Sequence, residues 1–336
     1  MKKKLIALAQ LAFGLAIIGF ILLRLQRQGK LHEMAAAVQS VAERWPLAAL
    51  GVAGFSVCLF FCVVRWNLLL RVVGVSLPFS RLWSLYFVGQ FFNAFILGST
   101  GGDVVKAVYV AEQTHHKKAE VVATVFIDRV VGLAALVILT VGVMLARLPF
   151  FLQHPRTRLA LAFNIVFAAV TLAALGALLR PNPWQRHGLL RRLEERTALG
   201  ARLRKAHDAF RLCVGHPGTL VKTVLLSLLN HTAFIACISY LGLALGLRLT
   251  FFDYLPVFLV INTIAGVPIT PSGIGTRDWL CVFLLGALGV AEPAALMLSL
   301  LIYANMMAWS LIGGVVYFVY VVSGGRVPPA AVAAEP

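Results

Sequence analysis

The stretch that decides the fold is FFNAFILGSTGGDVVKAVY, residues 91–109, in which an apolar helical run breaks at glycines and continues with an aspartate and a lysine. Asp103 and Lys106 lie in sequence of membrane depth, where an ionisable side chain needs an internal partner, a water-filled cavity or a substrate. A second break of the same kind, IAGVPITPSGIGTRDW at residues 264–279, carries Arg277 and Asp278. We therefore interpret the two breaks as the functional region and the other helices as its frame.

The composition is that of a helical membrane protein. Of the 336 residues, 60% are hydrophobic and 13% are charged, and the mean hydropathy is +0.88. The net charge of +17 comes from basic residues at the ends of apolar runs and in one loop. This distribution is typical of topology determinants and contacts with anionic lipid, and it argues against a nucleic-acid partner. The cysteines and histidines have no metal-ligand spacing, so we expect no metal and no cofactor.

The apolar runs predict an all-α, polytopic membrane protein with about six full spans and two broken or re-entrant hairpins. The predicted full spans are 5–23, 47–70, 121–146, 159–179, 220–245 and 294–322. The run 82–97 is about 24 Å long as a helix, which is too short for a hydrocarbon core of about 30 Å. We therefore predict that 82–111 returns to its starting side and that 255–269, with the helix after it, does the same. Arg65 is expected to snorkel to the membrane interface.

The segment order predicts a single transmembrane domain, residues 1–322, made of two inverted halves at about 5–146 and 159–322. The tail, residues 323–336, is expected to be disordered. Two breaks at corresponding positions of inverted halves point to a transporter site near the membrane midplane.

Basic residues predict the orientation. With the N-terminus in the cytoplasm, the inside loops carry more Lys and Arg than the outside loops, as the positive-inside rule requires. Much of that excess comes from residues 180–222, which include the arginine-rich segment 185–212, whose apolar residues recur at helical spacing. Residues 185–211 are either an amphipathic helix on the anionic leaflet or an ordinary solvated loop.

The glycine-rich breaks suit a phosphate. A helix N-terminus offers unpaired N–H groups and about half a positive charge, and Lys106 and Arg277 would add full charges. That combination fits a phospholipid headgroup or a polyprenyl phosphate. The candidate substrate-binding residues are Asn93, Gly101, Gly102, Asp103, Lys106, Asp128, Arg129, Asn262, Pro271, Gly273, Gly275, Arg277 and Asp278.

The aspartates leave several roles open. Asp103 and Asp278 could cap the half-helices that follow the breaks, pair with Lys106 and Arg129, or relay protons. They could equally be internal ion pairs that only hold the fold together. For Asp128, pairing with a neighbouring helix competes with substrate contact.

Three motifs carry a resemblance to a known family: Asn93 with Gly101-Gly102-Asp103 and Lys106, Asp128-Arg129 where relatives tend to have Glu-Arg, and Pro271-x-Gly-x-Gly followed by Asp278 where many have Glu. Over about residues 5–322 the sequence resembles the transmembrane (flippase) region of lysylphosphatidylglycerol synthase and its stand-alone relatives of the UPF0104 type.

The resemblance implies an integral inner-membrane (plasma-membrane) protein with a lipid-translocation role. We expect no counterpart of the synthase's soluble aminoacyl-transferase domain, so the resemblance does not imply lipid synthesis. Two alternatives remain. One is a membrane-embedded lipid-modifying enzyme with Asp103, Asp128 or Asp278 as acid or base, and the other is a non-catalytic membrane subunit for a soluble transferase that docks on residues 180–211.

Overall fold

The structure, a computed structural model, describes residues 19–21, 23, 25–27, 29, 31–95, 101–112, 118–179, 204, 207–208, 210–266, 270 and 273–322. These residues form helices, turns and short connections, and none of them forms a β-strand. The predicted all-α class is confirmed.

The helices in chain order are α1 (Leu31–Glu43), α2 (Trp45–Val72), α3 (Phe79–Phe95), α4 (Gly101–Glu112), α5 (Lys118–Ala146), α6 (Leu148–Gln153), α7 (Pro155–Leu179), α8 (Pro217–Ala244), α9 (Phe251–Ala265), α10 (Thr276–Leu285) and α11 (Glu292–Val322). A 3₁₀ turn, Gly286–Leu288, follows α10.

Five of these helices are long and apolar enough to cross a membrane. They are Trp45–Val72, Glu120–Ala146, Pro155–Leu179, Pro217–Ala244 and Glu292–Val319. All five coincide with predicted spans, so the chain is a multi-pass membrane protein. The predicted first span, 5–23, lies mostly outside the described residues. Helix α1 was not predicted, because the sequence of residues 31–43 is too polar for a membrane span and is interpreted as a connection.

The described contacts divide the chain into two compact units. Unit 1 comprises Met1–Leu59, Leu136–Ala168 and Asn230–Ala308, and unit 2 comprises Phe60–Ala135, Ala169–Leu229 and Trp309–Pro336. The first helix break therefore lies in unit 2 and the second in unit 1. The inverted halves, 5–146 and 159–322, stay a prediction.

Unit 1 is built on a large apolar core around α9. The side chains of Tyr254, Phe258 and Phe151 are almost completely buried there, with leucines and isoleucines of α8, α10 and α11 packed around them. Helix α9 begins with Thr250 and Asp253 in a capping box, in which Asp253 Oδ2 accepts hydrogen bonds from the Thr250 N–H at 2.9 Å and from its hydroxyl at 2.7 Å. This cap fixes where the short apolar helix starts.

Unit 2 holds α3 and α4 as a tight helical pair. Gly89 faces Gly102, and Tyr86 faces Lys106, so α4 runs back along α3 after the break. A Cβ atom on Gly102 would lie 1.7 Å from the Gly89 carbonyl oxygen. Only glycine permits this approach, which explains why an otherwise helix-breaking residue lies at the first turn of α4.

Candidate functional site

At the first break, Asn93 of α3 forms a hydrogen bond with the start of α4. Its side-chain Oδ1 accepts a hydrogen bond of 2.7 Å from the backbone N–H of Gly102, one of the donors left without an intrahelical partner at the start of α4. Gly101 begins the helix, and residues 96–100 lie outside the described residues. Asn93 thus contacts the start of α4 and caps it from the preceding helix, and the role of Asn93, Gly101 and Gly102 in substrate binding stays a prediction.

Asp103 lies at the centre of an ion cluster in the next turn. Its Oδ1 is 2.9 Å from the Lys106 ammonium, and its Oδ2 accepts hydrogen bonds from the Arg129 guanidinium of α5. Asp103 and Lys106 are buried, whereas the Arg129 side chain is 54% exposed. Asp103 is thus paired with Lys106 and Arg129, one of the arrangements that the sequence left open, and its role in substrate binding stays a prediction. Two cations around one carboxylate leave the cluster with an excess positive charge.

Lys106 is enclosed by aromatic rings as well as by Asp103. Its Nζ atom lies 4.9 Å from the centroid of the Trp66 ring and 4.5 Å from that of Tyr86. Cation–π contacts of this kind stabilise an ammonium that is removed from water. Only 3% of the side chain is exposed. In this conformation the Lys106 ammonium is bound inside the protein, and Arg129 is the accessible cation of the cluster.

Asp128 belongs to a separate network. The Arg65 guanidinium binds it in a bidentate manner, with Nε 2.6 Å from Oδ1 and Nη2 2.9 Å from Oδ2, and donates a third hydrogen bond of 2.8 Å to Ser227 Oγ. Both charged side chains are buried. The prediction that Arg65 snorkels to the interface is therefore wrong, because a carboxylate on α5 faces it and an ion pair satisfies both charges without water.

The second break is shaped by two glycines. Gly273 and Gly275 have φ angles of +74° and +79°, a left-handed conformation that glycine adopts without a steric penalty. Thr270 and Thr276 join their hydroxyls at 3.0 Å across the turn. Helix α10 then begins at Thr276. Pro271, also predicted to belong to the site, lies outside the described residues.

Asp278 caps α10 with only one of its oxygens. Its Oδ2 accepts a hydrogen bond of 2.7 Å from the Gly275 N–H, as the capping role requires. Its Oδ1 is buried and has no hydrogen-bond partner within the described part of the chain. The whole residue is only 2% exposed. Burying half a carboxylate in this way is costly unless another group completes its shell.

Arg277 is the cation of the second break, as Lys106 is the cation of the first. It is 7% exposed, and its Nη1 donates to the thioether sulfur of Met306 at 3.6 Å, while its guanidinium carbon lies 5.6 Å from the centroid of the Tyr303 ring. Its Nε is buried and has no hydrogen-bond acceptor among the residues described. No described carboxylate forms a salt bridge with this guanidinium, in contrast to Arg65 and Arg129.

Asn262 contributes differently from Asn93. Its backbone carbonyl accepts the Gly266 N–H at 2.9 Å, which is the ordinary α-helical hydrogen bond of the last turn of α9. Apart from Asn262 and Pro271, the predicted residues fall into three groups: the Asn93–Arg129 cluster and the Asp128 pair in unit 2, and the Arg277–Asp278 group in unit 1. Among the described residues, no group of three or more His, Cys, Asp or Glu could hold a metal ion.

Sequence reasoning missed the partners. Arg65 binds Asp128, Trp66 and Tyr86 enclose Lys106, and Tyr303 and Met306 contact Arg277. For Arg65 a signal was available, because an arginine inside an apolar span deserves the same interpretation as Asp103. The aromatic and thioether partners gave none, because they lie on apolar helices among many similar residues.

The family of the chain follows from its sequence as a whole. The family model described as the lysylphosphatidylglycerol synthase TM region matches residues 11–314. The chain belongs to this family. The match covers all three groups of site residues, and it confirms the resemblance seen in their motifs.

One relative of the UPF0104 type is similar in sequence over most of this chain. The chain is 25% identical over 273 residues to the UPF0104 membrane protein PH1989 of Pyrococcus horikoshii, an alignment that covers 75% of this chain and 80% of the relative. No solved structure matches the chain. This member of the lysylphosphatidylglycerol synthase TM-region family is therefore a membrane protein whose family is related to lipid handling.

Proposed function

We propose that this protein is a flippase-like transporter, which moves an anionic or phosphate-bearing lipid or lipid-linked headgroup between leaflets without changing it chemically. Its family and its five candidate spans support lipid handling within a membrane. One observation is the main support for an anionic or phosphate-bearing substrate. The buried guanidinium of Arg277, in the first turn of α10, has no carboxylate partner among the described residues, and its Nε has no acceptor there.

A buried cation of this kind favours an anionic ligand. Removing an ion from water costs several kcal/mol, and the cost is offset only when a counter-charge and hydrogen bonds replace the water. A phosphate supplies both, because its oxygens accept paired hydrogen bonds from a guanidinium. The N-terminus of α10 adds a favourable dipole and backbone N–H groups. The buried charge, the paired hydrogen bonds and the helix N-terminus all favour a phosphate at Arg277.

The first break supports the same class of substrate. Asp103 pairs with both Lys106 and Arg129, so these three side chains together carry a net positive charge. The Arg129 side chain is half-exposed, so a headgroup at the surface of unit 2 can contact its guanidinium. Transport through the inverted halves, which the segment order predicts, would use both breaks. A polyprenyl phosphate and a phospholipid would be recognised by the same groups.

The location of the transporter is part of this proposal. We propose a plasma-membrane (inner-membrane) protein with a cytoplasmic N-terminus, in which residues 185–211 contact the anionic leaflet or a soluble transferase. Most of these residues lie outside the described structure. We expect Lys117→Cys to be labelled by an impermeant thiol reagent from the cytoplasmic side and Gln153→Cys from the outside, in a background without the native cysteines. Labelling of both from one side would contradict the inverted halves.

Reconstitution of the purified protein into vesicles tests the proposed transport. Purified protein is placed in vesicles that carry acyl-labelled phospholipids or labelled polyprenyl phosphate on one leaflet. We expect leaflet exchange faster than in protein-free vesicles for at least one phosphate-bearing lipid. Exchange should be slower with Asp103→Asn, because the neutral amide no longer holds the Lys106 ammonium and the Arg129 guanidinium in position. Gel filtration and thermal unfolding in detergent verify that the variant is folded.

Other results would overturn the proposal. Exchange at the protein-free rate for every lipid tested rules out transport by this chain. If one lipid is instead converted chemically, the membrane-embedded enzyme is the better explanation, with Asp103, Asp128 or Asp278 as candidates for acid or base. If a soluble transferase co-purifies only while the basic segment 180–211 is intact, the subunit alternative gains direct support.

A further inference from the structure

Two buried side chains of opposite charge, each with one atom that has no partner in the described part of the chain, are consecutive residues at the start of α10. Arg277 is buried with its Nε unpartnered, and Asp278 is buried with its Oδ1 unpartnered, within the described residues. They do not form a salt bridge with each other. Because they are consecutive residues in one helical turn, the group carries no net charge but offers one cation and one anion. A ligand that carries only a phosphate would complete one half of it.

We infer that the second break takes a net-neutral, zwitterionic headgroup, in which a phosphodiester is joined by a short linker to one primary ammonium. This inference rests on the proposed function and names the substrate class for it. The phosphate binds Arg277 and the α10 N-terminus, and the ammonium donates a hydrogen bond to Asp278 Oδ1. A primary ammonium has three N–H donors, whereas a quaternary ammonium has none and leaves Oδ1 unsatisfied.

A second capping aspartate in unit 1 shows that capping a helix does not by itself leave the other carboxylate oxygen without a partner. Asp253 caps α9 from the same helical position with its Oδ2, as Asp278 caps α10. The other oxygen of Asp253, however, accepts a hydrogen bond from the Arg147 guanidinium at 3.3 Å. The capping geometry therefore leaves room for a cationic partner. At Asp253 the protein supplies that partner, and at Asp278 we assign it to the ligand.

The test compares three headgroups in reconstituted vesicles. The lipids carry the label on an acyl chain and have an ethanolamine, a choline or a glycerol headgroup. With the unaltered protein we expect exchange of the ethanolamine lipid to be at least about tenfold faster than that of the other two, as one charge-assisted hydrogen bond allows. Asp278→Asn should keep the cap, because its amide oxygen still accepts the Gly275 N–H, and should abolish the preference.

Asp253→Asn is the matched control. It removes the charge from a capping aspartate in the same unit whose partner is internal, so the preference for ethanolamine should remain. Thermal unfolding of both variants in detergent verifies that neither loses the fold. Faster exchange of the glycerol lipid, or a preference that survives Asp278→Asn, overturns this inference while transport itself stands. Exchange of none of the three lipids, nor of polyprenyl phosphate, overturns transport and the inference with it.

Discussion

Replacing Arg65 with methionine is expected to lower the free energy of unfolding by about 3–5 kcal/mol, because it leaves the buried carboxylate of Asp128 without a counter-charge. Arg65 makes two short hydrogen bonds to Asp128 and a third to Ser227, and both charged side chains are less than a tenth exposed. Methionine fills a similar apolar volume, so the loss reports the charge and not a cavity. The measurement is unfolding of the purified protein in detergent, followed by tryptophan fluorescence.

A double variant separates the ion pair from general packing. In Arg65→Met combined with Asp128→Leu no unpaired charge remains, and we expect most of the lost stability to return, since apolar replacement of a buried pair is often neutral or stabilising. Such non-additivity is characteristic of two residues in direct contact.

Arg147→Met is the surface control. Arg147 pairs with Asp253 at 3.3 Å, but the two side chains are 47% and 29% exposed. An exposed pair of this kind contributes about 1 kcal/mol or less. A change of that size for Arg65→Met as well would contradict the burial of the Arg65–Asp128 pair.

Arg277→Met is expected to have the opposite pattern, with loss of transport and little loss of stability. The guanidinium has no described carboxylate to leave behind, so its removal creates no unpaired partner and relieves the burial of a charge. Transport should fall by about thirtyfold or more, because truncating a buried, charge-assisted contact to a ligand costs about 2–5 kcal/mol. Leaflet exchange of a phosphate-bearing lipid and thermal unfolding are measured on the same preparation.

The control for Arg277 is another arginine of unit 1 that lies on an aromatic ring. Arg156 has its guanidinium carbon 5.4 Å from the centroid of the Phe283 ring, but it is exposed to the surroundings of the protein. Arg156→Met should leave exchange unchanged. If Arg277→Met instead unfolds the protein as Arg65→Met does, Arg277 has a structural role and the phosphate site must lie elsewhere.

The contrast between Arg65 and Arg277 shows what sequence reasoning could not reach. Both are arginines in apolar helices, and both are rare enough there to suggest a special role. Arg65 lies about two helical turns before the end of α2, a distance that its long side chain can cover to reach water. The expectation of snorkelling failed because Asp128, 63 residues later in the chain, faces Arg65 across the unit. No local pattern records that pairing.

The sequence by itself determined the class of the protein and the places where its helices break. Long apolar runs must become helices in a membrane, since every backbone polar group needs an internal partner there, and glycines with charged residues interrupt those runs. Both properties are local. The tertiary structure alone decided which charges have a partner on another helix: Arg129 pairs with Asp103 and Arg65 pairs with Asp128, whereas no described carboxylate pairs with Arg277 and no described residue donates to one oxygen of Asp278. The physical reason is that an ion pair between helices depends on their rotation and packing, which are set by contacts far apart in the chain.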